Sequence, residues 1–275
     1  MQSRSLSKTE AKVILALEAE ERELVTLSEI QELAGISPGF ARKLAHGLVH
    51  RGWMQRVHRG EYLLNPSRRG PDALPDLDPF RLGSRLATPY YFGYATAAEL
   101  HDLFPQASRV YYIASPAHRP GLAGPNSLYR FVLVSPSRFF GTTKVTRRGE
   151  TLIVSDIERT VLDCLSRPEL AGGLPGVVQI LSLAKPRLDW HRFALYLRRL
   201  SNRSLELRAG FLTERVRPSV RPPVSWIRSI LPRANEAYVP LDRPSSQGRT
   251  GPRDGRWHLI GNISDSRLFA EGKIR

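Results

Sequence analysis

Between positions 37 and 59 the chain gathers hydrogen-bond donors: Ser37, Arg42, Lys43, His46, His50, Arg51, Arg56, His58 and Arg59, with Gly39 among them. A guanidinium offers two parallel N–H groups that match O6 and N7 of guanine, and a lysine ammonium reaches the same acceptors. Cations placed further along such a segment meet phosphates, which fix register without reading sequence. A glycine in the middle leaves room for close approach to a backbone. Arg42 and Lys43 are therefore candidates for base edges, and Arg51, Arg56, His58 and Arg59 for phosphates. Any one of these residues also suits an ordinary solvated helix. The weight of the pattern rests on the elements that would carry it.

Residues 9–21 place Val13, Ile14, Ala16 and Leu17 on one side, the spacing of an amphipathic helix. A second helix follows, with Ser28 as a candidate cap, Ile30 and Leu33 as apolar contacts and Gly35 at its end. A third starts at Ser37, a good cap, with Pro38 in the first helical position. Phe40, Leu44 and Leu48, joined by Ala41 and Ala45, read as its inward face, which leaves Gly39, Arg42, Lys43, His46 and His50 outward. Gly52 stops it. Two short strands over 53–64 turn at Arg59-Gly60 into a hairpin. Helix, helix, helix and hairpin within about 60 residues is the order of a winged helix-turn-helix, whose third helix enters the major groove. Such modules also make protein contacts.

The composition agrees with a folded chain. Of 275 residues, 41% are hydrophobic and 24% charged, enough to build a core. A single cysteine, Cys164, excludes a disulfide framework and a zinc site of the Cys type, and reads as core. The N-terminus lacks an apolar core and no run approaches the ~18–20 apolar residues of a membrane span, so a cytoplasmic protein without membrane contact is expected. The net charge of +15 favours polyanionic partners. Its distribution is uneven: residues 1–70 hold 11 Lys and Arg against 8 Asp and Glu, 71–214 hold 18 against 13, and 215–275 hold 12 against 5. The excess is densest in the tail, so the N-terminal module alone would bind weakly, and a homodimer or help from the rest of the chain is expected.

Four domains or segments follow from these shifts: a winged helix-turn-helix over 1–65, a Pro-rich linker over 66–80, a larger domain over 81–215, and a basic Pro/Gly-rich extension over 216–275. In the larger domain, residues 109–115, 128–135 and a pair turning at Arg148-Gly149 read as strands. Ser155 and Glu158 have the spacing of a capping box for a helix with Ile157, Val161, Leu162 and Leu165 inward. Helices near 175–184, 189–200 and 203–215 complete an α+β domain with a mostly antiparallel sheet and a helical C-terminal part. The extension is expected to be partly irregular, with only WHLIGNIS at 257–264 strand-like, and to contact nucleic acid, pair with a partner or lie as a solvated surface segment.

No enzyme constellation appears. There is no phosphate loop, no GxGxxG, no HExxH and no GxSxG, and the seven histidines are scattered. No catalytic residue, metal or cofactor is expected. Asp156 and Glu158 at a helix start have a sufficient reason to be acidic there, and Arg159 and Asp163, four apart, suit a surface pair.

Three segments in this order resemble the AbiEi family of antitoxins from type IV toxin–antitoxin systems: ISPGFARKLAHGLVHRGWMQRVHRGEYLL at 36–64, PYYFGYATAAELHDL at 89–103 and SDIERTVLDCLSRPELAGG at 155–173. The resemblance covers about residues 8–215. It implies a winged helix that represses its own operon at inverted repeats in the promoter, and a C-terminal domain that counters a cognate nucleotidyltransferase toxin. By position it marks Asp156, Glu158, Arg159 and Asp163 as antitoxicity candidates. Two alternatives stand beside it: a ligand- or partner-responsive winged-helix transcription factor with no antitoxin role, and a nucleic-acid-processing enzyme.

Overall fold

The computed structural model describes residues 5–22, 24–58, 60–69, 78–104, 108–124, 127–242 and 248–269. The chain divides into two compact units, Met1–Leu82 with Gly121–Tyr129, and Gly83–Pro120 with Arg130–Arg275.

The first unit begins with helix α1 (Lys8–Ala19), then strand β1 (Leu24–Thr26), helices α2 (Leu27–Ala34) and α3 (Pro38–His50), and strands β2 (Met54–His58) and β3 (Glu61–Leu64). Ser7 and Glu10 form a capping box at the start of α1, the Ser7 amide donating to the Glu10 carboxylate at 2.9 Å. The cap of α2 is Thr26, not Ser28. Thr26 leaves β1 in an extended conformation and shares a capping box with Glu29, whereas Ser28 already lies inside the helix. Gly35 closes α2 in the left-handed region at φ 67°, a conformation that costs glycine least. Strand β1, which the sequence does not announce, adds to the hairpin to give an antiparallel sheet of order β1-β3-β2. Its three residues are too short to show a period. Val13, Ile14, Leu17, Val25, Ile30, Ala41, Leu44, Ala45 and Leu48 are buried together as the core. Each such aliphatic side chain larger than alanine contributes about 1.5–3 kcal/mol.

Within the expected linker, residues 67–69 form a 3-10 turn and helix α4 (Pro79–Arg85) follows. Positions 70–77 lie outside the described residues.

Strand β4 (Tyr91–Phe92), helix α5 (Tyr94–Leu100) and strands β5 (Val110–Ser115), β6 (Leu122–Gly124), β7 (Ser127–Leu133), β8 (Thr142–Arg147) and β9 (Glu150–Ser155) come next. The sheet order is β6-β7-β5-β4-β9-β8. It is mixed: β4 pairs with β9 in parallel, while β4–β5, β6–β7 and β8–β9 are antiparallel. Helices α6 (Ile157–Ser166), α7 (Gly173–Ala184), α8 (Trp190–Leu200) and α9 (Arg203–Arg215) then build the helical part. Val161, Leu162, Cys164 and Leu165 of α6 are buried at its centre, with Val177, Ile180 and Leu181 of α7. An α+β architecture behind an N-terminal helix-turn-helix is thus the observed fold.

The described residues of the C-terminal segment, 216–242 and 248–269, do not form a solvated extension. Helix α10 (Val224–Ile230), strands β10 (Val239–Pro240), β11 (Arg253–Asp254) and β12 (Leu259–Ile260) and helix α11 (Asp265–Leu268) belong to the second unit. Trp226, Ile227, Ile230, Leu241, Trp257, Leu259 and Leu268 share its core. The prolines and charges hid most of this, because a few large apolar side chains separated by loops leave little helical or strand period; only the strand-like stretch 257–264, which holds β12, shows in the sequence. Arg203 clamps the segment by donating to Glu236 at 2.6 Å and to the carbonyls of Ile230 and Leu231 at 3.0 and 2.9 Å. Lys185 donates to the carbonyls of Val216 and Arg217 at 2.5 and 2.8 Å, satisfying groups that the end of α9 leaves open.

Candidate nucleic-acid interface

Helix α3 presents two unlike faces. Ala41, Leu44, Ala45 and Leu48 are buried against α1 and α2. Ser37, Gly39, Arg42, Lys43, His46 and His50 are exposed. Ser37 holds the cap position but its hydroxyl makes no bond to the helix, so it is available to an outside acceptor. A side chain at Gly39 would meet nothing within 4 Å. Arg42, Lys43, His46 and His50 have no partner among the described residues. Among the described residues this basic face is therefore neither neutralised nor hydrogen-bonded, which is what a phosphate- or base-contacting face requires.

The structure separates other sequence candidates from this face. Arg51, just past α3, gives its guanidinium to the Glu10 carboxylate in the first turn of α1, so it ties two helices rather than facing a phosphate. Glu10 is anchored by the capping box, which fixes the partner that Arg51 finds. Arg56 is exposed on β2 beside the hairpin turn. The backbone of His58 pairs with Glu61, with a bulge between Arg56 and His58. The His58 side chain and Arg59 lie outside the described residues.

Phe40 departs from the inward position its spacing suggests: it is 54% exposed. It occupies the first turn of α3, on the flank of the helix rather than over the buried row Ala41, Leu44, Ala45 and Leu48. The i, i+4 spacing to Leu44 mimics a core stripe. A helical wheel centred on the two alanines puts Phe40 at its edge.

The four antitoxicity candidates lie along the first two turns of α6, from its cap Asp156 to Asp163, all buried. The cap is Asp156, not Ser155: Asp156 accepts from the Arg159 amide at 2.8 Å and from the Tyr196 hydroxyl at 2.8 Å. The Ser155 hydroxyl instead pairs with Thr160 at 2.7 Å. Glu158 accepts from the Asp189 amide at 2.7 Å, which joins α6 to the start of α8. Arg159 and Asp163 pair at 2.8 Å with side chains only 3% and 6% exposed, so theirs is not a surface pair. Arg159 also donates to the carbonyls of Arg138 and Phe140 at 2.8 and 3.3 Å and to the Tyr91 hydroxyl at 3.2 Å. Burial opposes its charge, but Asp163 with the Tyr91 and Tyr94 hydroxyls together outweigh that and hold the Arg159 guanidinium above its ordinary value, so it stays protonated. Burial, with Asp163 beside it, pushes the Tyr91 hydroxyl well above its ordinary range. Every one of these groups is bonded to its neighbours, and the arrangement holds α6 against the sheet and α8.

Among the described residues no group of three His, Cys, Asp or Glu side chains is placed to hold a metal ion, and no helix is long and apolar enough to cross a membrane.

Three helices, the third with an exposed row of basic residues, and a short sheet with a hairpin wing define a winged helix-turn-helix DNA-binding domain. Residues 11–58 match the family model described as the IclR helix-turn-helix domain. Over the whole chain the fold is similar to the crystal structure of the RV2827C protein from Mycobacterium tuberculosis, at a TM-score of 0.70 and 16% identity, covering 99% of this chain and 97% of that one. No curated protein matches the chain.

Proposed function

We propose that this protein is an autorepressing antitoxin of the type IV class: it binds inverted repeats in its own promoter as a homodimer and counters a nucleotidyltransferase toxin. The observation that carries the DNA half is the exposed face of α3, where Arg42, Lys43, His46 and His50 stand without intramolecular partners among the described residues. The antitoxin half rests on the resemblance of 36–64, 89–103 and 155–173 to the AbiEi family. In this reading the acids and Arg159 of α6 act by supporting the helix and its surroundings, and no catalytic step is assigned to the chain. The experiment has two arms. Gel-shift titration against the DNA upstream of the gene, with an unrelated duplex as control, should show a specific complex that survives near-physiological salt. Co-expression with the neighbouring toxin gene should restore growth; no rescue removes the antitoxin half and leaves the first.

A second reading is a transcription regulator without antitoxin role, whose larger domain answers to a ligand or partner. The IclR-type match over 11–58 favours it. A gene neighbourhood with no nucleotidyltransferase would decide for it.

A further inference from the structure

Phe40 has no part in the proposed function, and its setting is unusual for a phenyl ring. It is 54% exposed in the first turn of α3, while Ala41, Leu44, Ala45 and Leu48 of the same helix are buried. Its neighbours along the exposed surface are Gly39, around which there is open space, and Lys43, one turn on, whose cation has no partner among the described residues. It is thus a large apolar group set into a face otherwise made of donors. The early turns of such a helix are the part that approaches base edges.

The major groove offers one apolar group to such a ring, the C5 methyl of thymine, which cytosine lacks. We infer that Phe40 reads a thymine: with α3 in the major groove, its ring packs on the C5 methyl of a pyrimidine next to the base met by Lys43. The operator then contains, in each half-site, one position where a methylated pyrimidine is required. This inference rests on the DNA reading above and adds to it a residue and a base. The ring needs no space from the core, so packing on the base costs the fold nothing.

The test starts from sequences that the full-length protein selects from a random duplex library. Each thymine in the selected site is replaced in turn by deoxyuridine, which removes only the methyl group. Wild type should lose about 3–10-fold in affinity at one thymine per half-site, the scale of one buried methyl group. Phe40→Ala should bind the two versions equally at that position, Phe40→Leu should retain part of the difference, and 5-methylcytosine there should be preferred over cytosine by wild type but not by Phe40→Ala. Thermal melting of Phe40→Ala should match wild type, because the ring is outside the core. The inference is overturned if wild type is indifferent to every deoxyuridine, or if Phe40→Ala is weakened by deoxyuridine as much as wild type is. It is equally overturned if Phe40→Ala only changes the sedimenting mass, which would place the ring between copies of the chain. A library that yields no enriched sequence sinks the DNA reading itself, and this inference with it.

Discussion

Arg159 and Asp163, one turn apart on α6, pair at 2.8 Å with both side chains almost wholly buried. The pair sits at the meeting point of α6, the Tyr91 hydroxyl and the carbonyls of Arg138 and Phe140. Breaking it from one side leaves the other charge buried without a partner. Arg159→Met is expected to cost about 3–5 kcal/mol in urea unfolding, and the double replacement Arg159→Met with Asp163→Leu much less. If instead these residues touched a toxin directly, the single variant would keep its stability and fail only in toxin neutralisation.

The ring of Trp257 lies where a side chain at position 210 would be: a methyl built on Gly210 would come to 2.0 Å of the indole. The indole N–H also donates to Glu214 at 2.8 Å. Gly210→Ala should therefore destabilise the second unit by about 1–3 kcal/mol through overpacking, and Trp257→Ala by about 3–5 kcal/mol. Thermal unfolding measures both. Two neutral results would mean that the C-terminal segment does not dock on α9.

On the helix-turn-helix, the cations divide into two groups with different signatures. Arg42→Ala with Lys43→Ala should weaken binding by about 1–3 kcal/mol for each base no longer read and relax specificity, with stability unchanged. Arg51→Ala should do the reverse. It removes the tie to Glu10, so it lowers stability by roughly 0.5–1 kcal/mol with little change in the salt dependence of DNA binding. Equal salt slopes for both variants would show that the division is wrong.

His101 sets an acid limit on the second unit. Its Nε2 lies 2.6 Å from the Ser155 carbonyl oxygen, and burial holds the imidazole below its ordinary value of 6.5. Between the two values the unfolded chain binds more protons than the folded one. Stability from this group is therefore complete above about pH 6.5 and declines as the pH falls through that value toward the folded one. Urea midpoints measured from pH 7.5 down to 5 should fall, and His101→Gln should flatten that part of the curve.

Much of the chain is legible in its sequence where local periods are strong. The three helices and hairpin of the first unit, the turn at Arg148-Gly149 and the helices α6 to α9 all announce themselves by spacing and by turn or cap residues. Choices between near-equal local candidates are not legible in the same way. Ser28 and Thr26, or Ser155 and Asp156, are equally good caps by type, and the strand that delivers the chain to the helix selects between them. Local signals predict a mostly antiparallel sheet, and the parallel β4–β9 pair joins residues more than sixty positions apart.

The sequence by itself determined which residue types line up along α3, that the chain carries a positive excess, and that a folded α+β domain follows a winged helix. These depend on neighbours within a few turns, and local geometry reads them. Only the tertiary structure decided which cations are free. Arg51 is held by Glu10 across forty-one positions and Arg159 by a buried network, while Arg42 and Lys43 are left to solvent. It also turned Phe40 outward and brought Trp257 inward, because burial depends on which distant element covers a surface, and no local spacing encodes that.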